Sequence, residues 1–161
     1  MNEKIKFIAK VIVVHVITYI VVTLIAMPLT FDYADTVVEL MGFRPLDEIS
    51  MGGVLFAQII RGFLFGIVIW WIKDSIIGKK LAWLKLWAIL VILGIFNTYG
   101  PALGSIQGFI YLDMTRFENL PPSMNLSFLE VLAQPLLFSI IVCVKWKELH
   151  DKLHKKFSKK K

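Results

Sequence analysis

Four long apolar blocks, kept apart by charged segments, decide what this chain can fold into. The first is IKFIAKVIVVHVITYIVVTLIAM, residues 5–27, and the others cover Met51–Ile72, Leu81–Thr98 and Leu126–Val144. Each holds about 18–23 residues, enough at ~1.5 Å per residue to cross a ~30 Å hydrocarbon core as a helix. No water is present in that core to satisfy the backbone, so a spanning segment must close its own hydrogen bonds. The expected fold is therefore all-α: a polytopic membrane protein, with four transmembrane helices in one bundle over residues 1–145. A basic amphipathic cytoplasmic tail over 146–161 follows. The first block is longer than a secretory h-region and is closed by no A-x-A-like site, so it reads as a retained helix.

Orientation follows from the basic residues. Lys4, Lys6 and Lys10 flank the first block, Lys73, Lys79, Lys80 and Lys85 join the second to the third, and eight lysines follow the fourth. That puts fifteen of the 18 Lys and Arg on one side, which by the positive-inside rule is cytoplasmic. Both termini are then inside, in a cell (plasma or inner) membrane. Trp70, Trp71, Trp83, Trp87 and Trp146 fall near the same ends, and Tyr33, Tyr99 and Tyr111 at or beyond the opposite ones, as amphipathic rings at two interfaces should. The net charge of +6 is explained by this threading and gives no reason to expect nucleic acid.

The connections carry their own signals. DYADTVVELMG, in the first outer loop, reads as a short helix capped by Asp32 and ended by Gly42. Its surplus of acid fits a solvated cap or a cation-attracting vestibule. Between the third and fourth blocks, residues 101–114 are apolar but too short to span. They read as an interfacial helix or packed loop, or as a re-entrant helix. In the tail, Trp146, Leu149, Leu153 and Phe157 lie on one helical face among lysines. Lys145, Lys147, Lys152, Lys155 and Lys156 would hold that face on anionic lipids of the inner leaflet.

Polar residues at depth are the candidate functional set. Arg61 lies about 15 Å below the start of the second block, near mid-depth, where an arginine costs ~2.5–3.5 kcal/mol on insertion scales. Gln58 is one turn above it, and Gly62 and Gly66 form a GxxxG pair beside it, which suggests that this face looks inward or into a homodimer. His15 and Thr18 lie near mid-depth in the first block, Asn97 closes the third, and Glu130 and Gln134 sit one turn apart in the fourth. Ser127 and Glu130 also spell the S-x-x-E of a capping box, which alone would explain the acid.

Three functions stay open on this reading. Arg61, Gln58, His15, Glu130, Gln134 and Asn97 could bind or pass a small anionic or amphiphilic ligand, or a lipid head group, through the outer half. The same residues could be interhelical glue in a non-catalytic regulatory or assembly protein. A membrane-embedded transferase using His15 and Glu130 is the third. No cofactor motif is present: HExxH and phosphate loops are absent, and His150 and His154, four apart, could share a metal only with Glu148 or Asp151 as a third ligand. The single cysteine, Cys143, excludes an intrachain disulfide and a CxxC exchange centre.

Overall fold

The computed structural model describes residues 2–41, 48, 50–97, 105–106, 110 and 123–144, with the side chains of 27, 29–41 and 123–128 outside that set. The described elements are helical, with no strand among the described residues. They are α1 (Glu3–Met41), α2 (Met51–Ile76), α3 (Ala82–Val91) with a π-helical continuation over Ile92–Phe96, and α4 (Ser123–Cys143). Each apolar block is thus the body of a helix, but the limits differ from the sequence in physically informative ways.

α1 does not stop where hydropathy falls. It runs through Pro28 to Met41, so Asp32 lies within a continuous helix and caps no separate one. Proline removes one i→i−4 bond and crowds one carbonyl, a local defect that a long helix can absorb as a bend. α4 begins at Ser123, four residues before Ser127. Ser127 is therefore interior to the helix, and the capping-box reading of Glu130 fails. The 101–114 stretch, apart from Ser105, Ile106 and Ile110, lies outside the described residues, as do Gly42, the tail lysines, His150 and His154.

α1 is the hub. α2 and α4 both pack along it, α3 packs on α4, and α2 and α3 barely touch. α2 runs antiparallel to α1: Gly62 lies against Ile12 and His15, Gly66 against Ile8, and the Trp70 ring against Phe7 at 5.6 Å. α4 is antiparallel to α1 as well, with Glu130 beside Thr23, Gln134 beside His15, and the Val142 carbonyl beside Lys10. A tight turn joins α2 to α3. Gly78 takes a positive φ of 82° there, and the Ile77 N–H bonds back to Lys73 O at 2.7 Å.

The GxxxG pair is consumed inside the chain. A Cβ built on Gly62 would stand 3.0 Å from the Ile12 Cα, and one on Gly66 would stand 3.0 Å from Ile8 Cγ2. Both glycines are buried in the α1–α2 contact, which covers the surface that a homodimer through them would need.

Large apolar side chains lie both in the core and on the described surface. Val11, Ile69, Ile76, Ala82, Leu86, Phe138 and Val142 form the apolar core, yet His15, Thr18 and Ser139 are fully buried beside them. Ile17, Leu24, Ile25, Phe56, Leu64 and Trp71 are exposed. Glu3–Ala26 and Met51–Ile76 are long and apolar enough to cross a membrane, and only 17% of the apolar window of each is buried.

Close approach at Gly62 generates a prediction. Gly62→Ala forces a backbone shift and lowers stability by about 1–3 kcal/mol, the usual cost of overpacking. Gly94→Ala, where a Cβ meets nothing within 4 Å, leaves it unchanged or higher. Reversible unfolding in mixed micelles measures both.

Candidate functional site

The centre of the bundle is built around one imidazole. His15 is fully buried where α1, α2 and α4 converge. Its Nε2 is 3.0 Å from Gln58 Oε1 on α2, and its Nδ1 is 3.3 Å from Gln134 Nε2 on α4. The two contacts define one self-consistent neutral tautomer: Nε2–H donates to the Gln58 carbonyl, and the Gln134 amide donates to Nδ1. Phe65 and Phe138 meet the ring edge-on, with centroids 5.2 and 5.7 Å away.

Local structure explains why these groups meet. Gly62 is one turn below Gln58, and its bare backbone lets α1 approach until the glutamine reaches the ring. Thr18, one turn along α1, returns its hydroxyl to Val14 O at 2.9 Å and His15 O at 3.1 Å. It leaves no polar atom loose beside the imidazole.

The remaining candidates lie elsewhere. Glu130 accepts a long bond, 3.4 Å, from the Thr23 hydroxyl. Asn97 is exposed and ends the π-helical stretch, its N–H bonded to Ile92 O at 2.9 Å. Arg61 is exposed too. Its guanidinium carbon stands 5.5 Å over the Phe65 ring centroid, and it has no hydrogen bond or ion pair among the described residues. The structure therefore brings His15, Gln58 and Gln134 together, and it leaves Glu130, Asn97 and Arg61 out of that group.

Arg61 departs from the inward-facing expectation for a geometric reason. Successive residues on an α-helix are ~100° apart. Gly62 faces α1, so its neighbour Arg61 points to the side, at the rim of the packed face.

Two contacts had little sequence signal. Trp87 Nε1 donates to Leu132 O at 3.2 Å, next to the Val131 carbonyl that Pro135 deprives of its usual donor. Lys10 Nζ reaches Val142 O at 3.4 Å, a cation at the C-terminal end of α4. Both residues read from sequence as interfacial. Ser139 Oγ is buried with no hydrogen-bond partner, and nothing in its sequence context marks it. No group of three or more His, Cys, Asp and Glu side chains among the described residues is placed to hold a metal.

The chain matches no protein-family model, no curated protein and no solved structure.

The imidazole clasp is testable as a unit. Gln134→Leu costs about 1 kcal/mol, in the range for interhelical hydrogen bonds in membranes. In a His15→Phe background, where no ring nitrogen is left to satisfy, the same substitution costs much less. Equal losses in the two backgrounds, measured by unfolding in micelles, would show that the contact carries no energy.

Proposed function

We propose that this chain is a four-span membrane protein with both termini cytoplasmic, and that it works by binding rather than by chemistry. Arg61 offers a cation on the side of α2 to an anionic group supplied from outside the chain. The polar interior is interhelical glue. The observation that carries this reading is the contrast between the two sets of polar side chains. His15, Gln58 and Gln134 satisfy one another, and Glu130 is engaged by Thr23. Arg61, on a helix apolar enough to cross a bilayer, has among the described residues no hydrogen bond or ion pair and rests over an aromatic ring. An unpaired guanidinium at mid-depth is costly in lipid, and an anion removes much of that cost.

This differs from a pocket in which Gln58, His15, Glu130, Gln134 and Asn97 shape a site for a small ligand. Both nitrogens of His15 are occupied by amides, which leaves it neither a free base nor a free donor. A transferase using His15 and Glu130 meets the same objection.

The packing supports this threading. The start of α1, the end of α2 and the start of α3 carry Lys4, Lys6, Lys73, Lys79, Lys80 and Lys85 against Glu3 and Asp74, and the antiparallel packing puts these ends together. Lys73 lies over the Trp70 ring at 3.6 Å, an interfacial arrangement of cation and aromatic. The lysine-rich tail adds a contact to the anionic inner leaflet.

Two experiments address these claims. In a Cys143→Ser background, a cysteine at Ser50 reacts with an impermeant thiol reagent added to intact cells, and one at Ser75 reacts only after lysis. The reverse pattern would invert the topology. Extracted in mild detergent, the wild type and Gln134→Leu retain the same bound lipid or protein by native mass spectrometry, and Arg61→Leu loses it. Undiminished retention by Arg61→Leu would remove Arg61 from the function.

A further inference from the structure

The surroundings of Arg61 say what kind of anion fits it. Along α2, Val54, Ala57, Arg61, Leu64, Val68 and Trp71 recur at spacings of three, four, three, four and three. That is the seam of a left-handed helix pair, the commonest packing geometry of membrane helices. Val54 is half-buried. The other five are exposed, with Leu64 at 54% and Trp71 at 73%. α1 occupies the Gly62–Gly66 face, and α3 diverges from α2 beyond the connecting turn, so the described helices leave this seam unfilled. Arg61 stands in its middle, at the kind of core position where one polar residue selects partner and register.

Three occupants compete, and charge with depth separates them. A second copy inserted the same way would bring its own arginine to the same level, cation against cation across the two-fold axis. A lipid phosphate lies at the surface of the ~30 Å core, whereas Arg61 is about 15 Å below the start of α2, so a headgroup reaches it only if the bilayer deforms. A carboxylate on a neighbouring helix can sit at any depth, and it accepts a guanidinium fork without moving lipid.

We infer that the Arg61 seam of α2 seats a membrane-spanning helix of another protein, one that carries an Asp or Glu at the depth of Arg61. This rests on the reading of Arg61 as a site for an external anion, and it narrows that anion to a protein carboxylate. The small side chain of Ala57 allows close approach on the outer side of the arginine, while Leu64 and Val68 offer ordinary apolar packing on the inner side. The phenyl ring of Phe65 lies beneath the guanidinium and limits its motion, so the fork is partly pre-positioned for its acceptor.

The test uses the purified full chain in phosphatidylcholine vesicles. A leucine–alanine transmembrane peptide with one central Glu, and its Gln counterpart, each carry a dansyl group. Energy transfer from the protein's tryptophans, with Trp71 on the seam, reports association. The Glu peptide binds wild type about tenfold more tightly than the Gln peptide, which corresponds to a contact of about 1.4 kcal/mol. Arg61→Leu removes that preference, and Arg61→Lys, which keeps the charge without the fork, retains part of it. Wild-type unfolding behaviour of both variants shows that they are folded. Equal binding of the two peptides to wild type overturns the inference. So does loss of the preference when phosphatidylglycerol is added, but that result leaves Arg61 as an anion site with a lipid as its occupant. If, in addition to equal peptide binding, phosphatidylglycerol associates equally with wild type and Arg61→Leu, the reading of Arg61 falls as well.

Discussion

A neutral imidazole in the middle of an oily bundle needs one acceptor and one donor, and here two other helices supply them. The clasp of His15 by Gln58 and Gln134 ties α1 to α2 on one side and to α4 on the other. In water such contacts would compete with solvent. Between apolar helices in lipid, hydrophobic burial does little to choose one arrangement over another, so close packing and a few hydrogen bonds must do so. Gly62 makes the clasp possible by letting the α1 backbone come near, and the edges of Phe65 and Phe138 fill the space around the ring. The hub position of α1 follows from that centre.

Because the interior satisfies itself, the exterior becomes the informative surface. Among the described residues the buried polar groups, Ser139 apart, are engaged within the chain, whereas the cation on the side of α2 has no hydrogen bond or ion pair. On the proposed reading of a membrane bundle, a charge left uncompensated at depth points to something the fold meets rather than something it encloses. The proposed reading moves the functional question from a pocket to a face, and from a small molecule held among helices to a partner lying beside one of them.

The helices were legible in the sequence because their signal is length and oiliness, which needs no knowledge of neighbours. Relative height along the helices was legible too: counting rise put His15 and Arg61 near the same level, and Gly62, next to Arg61, lies against His15. Rotation was not. Arg61 reads as inward because Gln58 and Gly62 lie close to it in sequence, yet a single step turns a side chain by ~100°. The bond between His15 and Gln134 joins residues 119 apart, and no local pattern announces it. The acids at Asp32, Asp35 and Glu39 made a loop look necessary, while the backbone continues as helix through Pro28 to Met41. The S-x-x-E at Ser127 misled in the opposite way, since a helix that starts at Ser123 has no end there to cap.

The central claim is that position 61 faces out of the bundle, and collision spectroscopy addresses it most directly. A nitroxide placed at Arg61→Cys in a Cys143→Ser background, in reconstituted vesicles, reports whether oxygen or a water-soluble nickel chelate reaches it. An outward position predicts frequent collisions with oxygen, which concentrates in lipid, and few with the chelate. Frequent collisions with the chelate would reveal a water-filled pocket, and protection from both would mean a position buried in protein; either result contradicts the account.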